Sequence, residues 1–292
     1  MAILTPPGWV ADQMNRAIHA VGTDTPEHYW HRDDASPDTP VVRRIGFSDV
    51  RDAIRLGMAD FGASRTDVLF LCVFYPIVGL LLARFASGGG MIPLLFPLAS
   101  GFALIGPIAA IGLNEMSRLR ESGHEVNWLH AFSVLRSPAV VAITMLGVLL
   151  AAIFVVWIFA ADLIFQVTLG PVYPPSVGEF LQNVFMTSAG WLMIAIGVSV
   201  GFVFAATVLA ISLVSFPLLL DRNLSAMAAV TTSVRAVAAN PGPVAFWAMI
   251  VVAGLVVGSI PLFLGLVVVL PVLGHATWHL YRKLITWTPS VR

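Results

Sequence analysis

From Ala139 to Ala161 the chain runs for 23 residues without one charged side chain, and Asp162 closes the run. In hydrocarbon no water satisfies backbone N–H and C=O groups, so so apolar a segment is stable there only as a helix or within a closed barrel. A bilayer core about 30 Å thick takes roughly 20 residues of helix, and this run meets that length. Others accompany it. Asp67–Ala86, apolar from Val68 to Ala83, precedes a turn at Gly88-Gly89-Gly90, and Met91–Leu113 follows the turn. Ser188–Leu220 has 33 residues, enough to tilt, to bend near Gly197 and Gly201, or to project beyond the lipid. The last run, Val244–Leu280, would make a helix about 55 Å long at 1.5 Å per residue, nearly twice the membrane. Gly258-Ser259-Ile260-Pro261 breaks it into Val244–Gly258 and Leu262–Leu284, with one long helix as the alternative.

The expected architecture is therefore all-α and polytopic, with spans at about 67–86, 91–113, 139–161, 188–220, 244–258 and 262–284. These form three hairpins within a transmembrane domain of residues 44–287. Composition agrees. Hydrophobic residues make up 58% of the chain and charged residues 11%, against roughly 45–50% and 25% in a soluble protein. Of the 32 charges, 17 lie in residues 1–67, which leaves 15 for the other 225 residues. That excludes a soluble enzyme, a nucleic-acid-binding domain and a disulfide scaffold. The formal charge is zero, so no global field steers the chain to an anionic partner. Cys72, the single cysteine, reads as a small packed residue. Asp12, Arg16 and His19 interrupt Met1–Ala20, so no cleavable signal is expected and the first apolar run serves as both signal and anchor.

Charge placement orients the spans. With six crossings, the segments 1–66, 114–138, 221–243 and the C-terminal end hold 15 of the 16 Lys and Arg residues; only Arg84 lies opposite. The connection Leu163–Thr187 has no basic residue. The positive-inside rule then puts both termini in the cytoplasm. A five-span model would place Arg282 and Lys283 outside. Trp157, Tyr173 and Trp191 are expected at the outer interface, and Trp247, Trp278, Tyr281 and Trp287 toward the inner one, where amphipathic rings collect.

Three cytoplasmic stretches are amphipathic at helical spacing, as interfacial helices are. They are Ser48–Phe61 (Val50, Ile54, Met58, Phe61), Asn127–Ser137 (Trp128, Phe132, Leu135) and Ser225–Ala239 (Met227, Val230, Val234, Val237). Each precedes a pair of spans, which gives three units at roughly 44–120, 124–222 and 223–284. Each unit ends with a proline ahead of polar residues: Pro107 before Asn114, Glu115 and Arg118; Pro217 before Asp221 and Arg222; Pro271 before His275, His279 and Arg282. The units differ in length, and a true threefold repeat and chance likeness between apolar helices both remain open. Residues 1–43, with Thr5-Pro6-Pro7-Gly8 and an acidic, proline-bearing stretch from Asp33 to Pro40, read as a mobile cytoplasmic tail, and 288–292 as a short C-terminal one.

No ionisable residue lies in the middle of a span. Glu115, Asp162, Asp221, His275 and His279 fall near helix ends, where capping and interfacial anchoring are the ordinary roles. If the hairpins share an axis, Asn114, Glu115, Asp221, His275 and His279 converge at the cytoplasmic mouth as a candidate polar cluster. His275 and His279 share a helix face, as a metal or haem pair would, but spacing fixes no further ligand. No cofactor, metal or catalytic residue is assigned. His124 and His130 read as solvated. Gly197-x-x-x-Gly201 and Gly254-x-x-x-Gly258 allow close helix approach. No nucleotide loop, nucleophile elbow or zinc helix is present in the sequence, so an enzyme is not expected.

The stretch Ile45–Arg120 resembles a group of uncharacterised bacterial integral membrane proteins, some of them labelled cytochrome c oxidase subunits. The likeness rests on Gly57–Phe61, Tyr75-Pro76, the run from Phe96-Pro97 to Gly106-Pro107, and Asn114-Glu115-Met116-Ser117-Arg118. Leu270–Arg282 is similar to the same family, and the resemblance spans about 43–287. It implies no established activity. A catalytic haem–copper subunit would need histidines at mid-membrane depth, so the label implies at most an accessory or assembly component. The expected partners are membrane lipid and other membrane-protein subunits, not nucleic acid. A permease for a small or amphipathic solute is the alternative, resting on the prolines and the pseudo-symmetric bundle.

Overall fold

Helix α1 runs unbroken from Phe47 to Cys72. The sequence reading separated an interfacial helix ending at Phe61 from a span beginning at Asp67; of the five residues between them, Gly62 is the one weak helix breaker, which a helix tolerates at a cost of about 1 kcal/mol. The computed structural model describes residues 39–72, 84, 92–94, 97–98, 106–108, 110–261 and 264–288. Most of the expected first two spans, the glycine turn and residues 1–38 lie outside the described residues.

Helix α2 (Ile111–Glu121) is followed by a 3-10 helix at Trp128–Arg136. Asn127 caps the latter by accepting the Leu129 N–H, while His130 Nδ1 accepts the Asn127 N–H at 3.1 Å. His130 is thus a capping partner rather than a solvated side chain. Helix α3 (Val140–Thr168) continues seven residues past the expected end at Ala161. Asp162 does not stop it, because its carboxylate accepts hydrogen bonds from Gln166 one turn on and from Tyr173. The connection between α3 and the next long helix contains helix α4 (Val177–Met186), capped by Ser176, which the sequence reading did not anticipate.

Helix α5 spans Ser188–Ser212 and α6 spans Ser215–Asp221. The expected 33-residue helix therefore breaks, though not at Gly197 or Gly201. The break at Leu213-Val214 lies four and three residues before Pro217. Proline removes a helical N–H, and its ring clashes with the carbonyl at i−4, here that of Leu213. The Val214 N–H donates instead to Ser233 Oγ at 3.1 Å. Ser233 belongs to α7 (Ala226–Ala239). The final apolar run is two helices, α8 (Pro241–Ser259) and α9 (Leu266–Leu284), with Gly258 packed on Gly265 and Leu266 at the corner. Among the described residues, three helical stretches are long and apolar enough to cross a membrane: Val140–Thr168, Ser188–Asp221 and Pro241–Ser259.

One departure from an all-α chain closes the molecule. Thr39–Val42 (β1) pairs antiparallel with Ile285–Thr288 (β2), in register from Thr39 with Thr288 to Val42 with Ile285. The boundaries expected for both tails are therefore too wide. Asn240, at the α7–α8 corner, holds the following segment: its Nδ2 donates to the Arg43 carbonyl and its Oδ1 accepts the Ile45 N–H at 2.8 Å.

The densest packing gathers at this end of the helices, around Phe216, Leu218, Leu220, Leu280, Tyr281 and Leu284. The outer faces of α3, α5 and α8 expose Val141, Phe159, Phe202 and Val252, as lipid-facing helices do. The amphipathic stripes divide. Val50 is buried, but Met58, Phe132, Leu135, Met227 and Val234 point outward, and α7 buries the small residues Ala229, Ser233 and Ala236 instead. The aromatic frame also needs correction. Trp157, Trp247, Trp278 and Tyr281 are buried in protein rather than set at a lipid interface, and Trp157 donates to the Pro97 carbonyl.

Candidate functional site

Helices α2, α6 and α9 touch one another pairwise at the densely packed end. They carry all five residues of the expected polar cluster, and the structure divides those residues into separate groups. Glu115 is fully buried and forms a two-pronged pair with Arg118, with Nε and Nη2 each 2.7 Å from a carboxylate oxygen; Ser133 Oγ donates to the same carboxylate. Asp221 accepts the Tyr281 hydroxyl at 2.7 Å and lies 3.6 Å from Arg282. Arg282 also donates to Glu121, which accepts the Trp278 indole N–H as well. These two groups lock helices together.

The two histidines belong to a third group, built around a residue outside the expected set. Asp60 of α1 accepts Ser117 Oγ at 2.6 Å and His279 Nε2 at 2.8 Å on the same oxygen. Its other oxygen lies 3.4 Å from Arg120 Nε. Burial raises the pKa of this carboxyl, but the hydrogen bonds from His279 and Ser117 and the two nearby histidines outweigh burial and lower it below its ordinary value. Asp60 is held as an acceptor. Ser117 Oγ is also 2.8 Å from His275 Nδ1. A serine hydroxyl has one proton, and here it goes to Asp60, so His275 Nδ1 must be the donor to Ser117. The chain of donors runs His275 to Ser117 to Asp60, and His279 to Asp60 from the other side.

Asn114 stands apart. It is 1% exposed, and its Oδ1 has no hydrogen-bond partner among the described residues. It lines a cavity of about 930 Å³ between α5, α6, α8 and α9. Among the described residues no ionisable side chain lines that cavity. Its hydroxyls are spent on their own helices: Ser212 donates to the Val208 carbonyl and Thr277 to the Leu273 carbonyl.

Asp60 and Ser117 had a visible signal. Val50, Ala53, Gly57 and Asp60 follow one another at spacings of three and four, which places the carboxylate on the buried face of α1. Ser117 lies one turn beyond Asn114. No grouping of three or more His, Cys, Asp or Glu residues suited to a metal ion occurs among the described residues, and both histidines already bond within the Asp60 group. Gly254 and Gly258 pack on α9, and Gly201 lies against Trp157. These glycines serve contacts within the chain.

Residues 95–221 match a family described as "Predicted integral membrane protein (DUF2189)". The chain is thus similar to an uncharacterised family of integral membrane proteins, as the resemblance implied. The match covers Phe96–Pro107 and Asn114–Arg118 but not the C-terminal stretch around His275. No curated protein and no solved structure matches the chain.

Proposed function

We propose that this integral membrane protein is non-catalytic and takes up an amphipathic, largely apolar molecule from the bilayer into the cavity between α5, α6, α8 and α9. The cavity carries the reading. Its volume, about 930 Å³, falls in the range of roughly 300–1,000 Å³ typical of small-molecule sites. Phe202, Met249 and Val252 line it and are also exposed on helices apolar enough to span, so it opens sideways toward lipid tails. A solid apolar core would have argued against a permease; this opening favours one over a purely structural subunit. The non-catalytic reading draws support from the polar end, where Glu115, Asp221, Asp60 and His279 are engaged with neighbouring side chains.

The reading includes six crossings with both ends in the cytoplasm of a bacterial inner membrane. The β1–β2 pairing supports an even number of crossings between Val42 and Ile285, because paired backbones lie on one side of a bilayer. An accessory or assembly role beside a respiratory oxidase is the second reading. The long exposed face of α3, with Val141, Met145, Val148 and Phe159, is the surface it would use.

The test is extraction of the purified protein with organic solvent, followed by flux measurements in reconstituted vesicles. The expected result is a bound amphipathic molecule at about one per chain whose transfer between leaflets the protein accelerates. Recovery of the protein with stoichiometric membrane-protein partners and no bound molecule would favour the second reading.

A further inference from the structure

We infer that the occupant of this cavity is a neutral, hydroxyl-bearing lipid whose hydroxyl donates to Asn114 Oδ1 while its chain lies along α8; the inference rests on the cavity reading above. Four observations carry it. Asn114 is almost completely buried and its carbonyl oxygen is unpartnered among the described residues, a costly arrangement that calls for a donor. The unpartnered atom is the carbonyl oxygen, an acceptor, so its complement is a donating group. Among the described residues no acid, base or histidine lines the cavity, so a charged headgroup would find no counterion among them and would be penalised in so dry a site. The other hydroxyls on the wall, of Ser212 and Thr277, are satisfied internally, which leaves Asn114 as the fixed point for a polar end.

Shape selects a lipid over a compact solute. Pro241 and Val256 both line the cavity on helix α8. They are fifteen residues apart, about 22 Å along a helix. One leaflet's acyl region is about 15 Å deep, half of the bilayer core. The groove is long enough for an extended acyl chain. Asn114 also marks the boundary between apolar wall and polar end, since Ser117 one turn further on α2 already bonds to Asp60. A hydroxyl at that boundary and a tail in the groove match the two environments.

The experiment measures binding of 1-hexadecanol, hexadecyl methyl ether and hexadecanoate to the purified full-length chain in detergent, by native mass spectrometry at mildly alkaline pH. The alcohol should bind roughly tenfold more tightly than the ether, the effect of one hydrogen bond to an otherwise unpaired group. The charged carboxylate should bind more weakly than the alcohol. In Asn114→Leu the ether should still bind and the alcohol should lose its advantage. Equal affinity of alcohol and ether for the native protein would overturn the inference while leaving the cavity reading intact, and this comparison needs no variant to fold. Tighter binding of hexadecanoate would overturn it equally. Failure of all three to bind would remove the cavity reading itself.

Discussion

Gly57 of α1 lies directly against Ala276 of α9, so closely that a Cβ placed on Gly57 would come within 2.6 Å of the Ala276 nitrogen. The atoms in the way are backbone and Cβ, which cannot swing aside. Gly57→Ala should therefore destabilise the folded protein by about 1–3 kcal/mol, the usual effect of overpacking, even though alanine is the better helix former by about 1 kcal/mol. Gly57→Leu should cost more. Thermal unfolding in mild detergent reads the change, and an unaltered melting temperature for the leucine variant would show that the two helices are not held at this distance.

The Asp60 network sets an acid limit. Its carboxyl has a folded pKa below the ordinary 3.8 because hydrogen bonds from His279 and Ser117 exceed the opposing effect of burial. A depressed folded value contributes stability that is whole above the unfolded pKa and is lost as pH falls through the folded one. Asp60→Asn should be less stable than the native chain near pH 7, and the gap should narrow as pH falls from about 5 into the acid range below the ordinary carboxyl value. Melting curves over that range test the point; a constant gap would contradict it.

Ser117→Ala removes the hydroxyl between Asp60 and His275 and leaves His275 Nδ1 buried without its acceptor. The expected loss is about 1–3 kcal/mol. Ser117→Thr, which keeps the hydroxyl, should recover part of it. Chemical denaturation of the two variants side by side separates a lost hydrogen bond from a mere change in volume, since equal losses would point to volume.

Val42 and Ile285 are register partners in the β1–β2 pair. In a chain with Cys72→Ala, cysteines at both positions should form an internal disulfide under mild oxidant, read as a faster-migrating band that reductant reverses. Cysteines at Val42 and Trp287, out of register, should link more slowly. If the two pairs react alike, the strands do not hold this register.

Apolar runs and their breakers were legible in the sequence because they depend on local composition. The corner at Gly258–Pro261 is where it was expected, and the break before Pro217 follows from proline's missing N–H. Burial of the tryptophans was not legible. A ring that prefers an interface also fits a protein interior when its N–H finds an acceptor, as Trp157 finds Pro97 and Trp278 finds Glu121. Asp60 could have been found from the buried spacing of Val50, Ala53 and Gly57, but an acid near the end of an amphipathic stretch reads first as solvated. The unpartnered oxygen of Asn114 has no local signature, since it arises from what three distant helices leave uncovered.

The strand pair β1–β2 and the seam of α1 on α9 join the first described elements to the last. During synthesis α1 precedes α9, and until α9 has been made Gly57 lacks its Ala276 neighbour and Asp60 its histidine. The nascent polypeptide must hold that helix in waiting: a product cut short before α9 keeps Ser117 and Arg120 for Asp60 but leaves the Gly57 face of α1 without its seat.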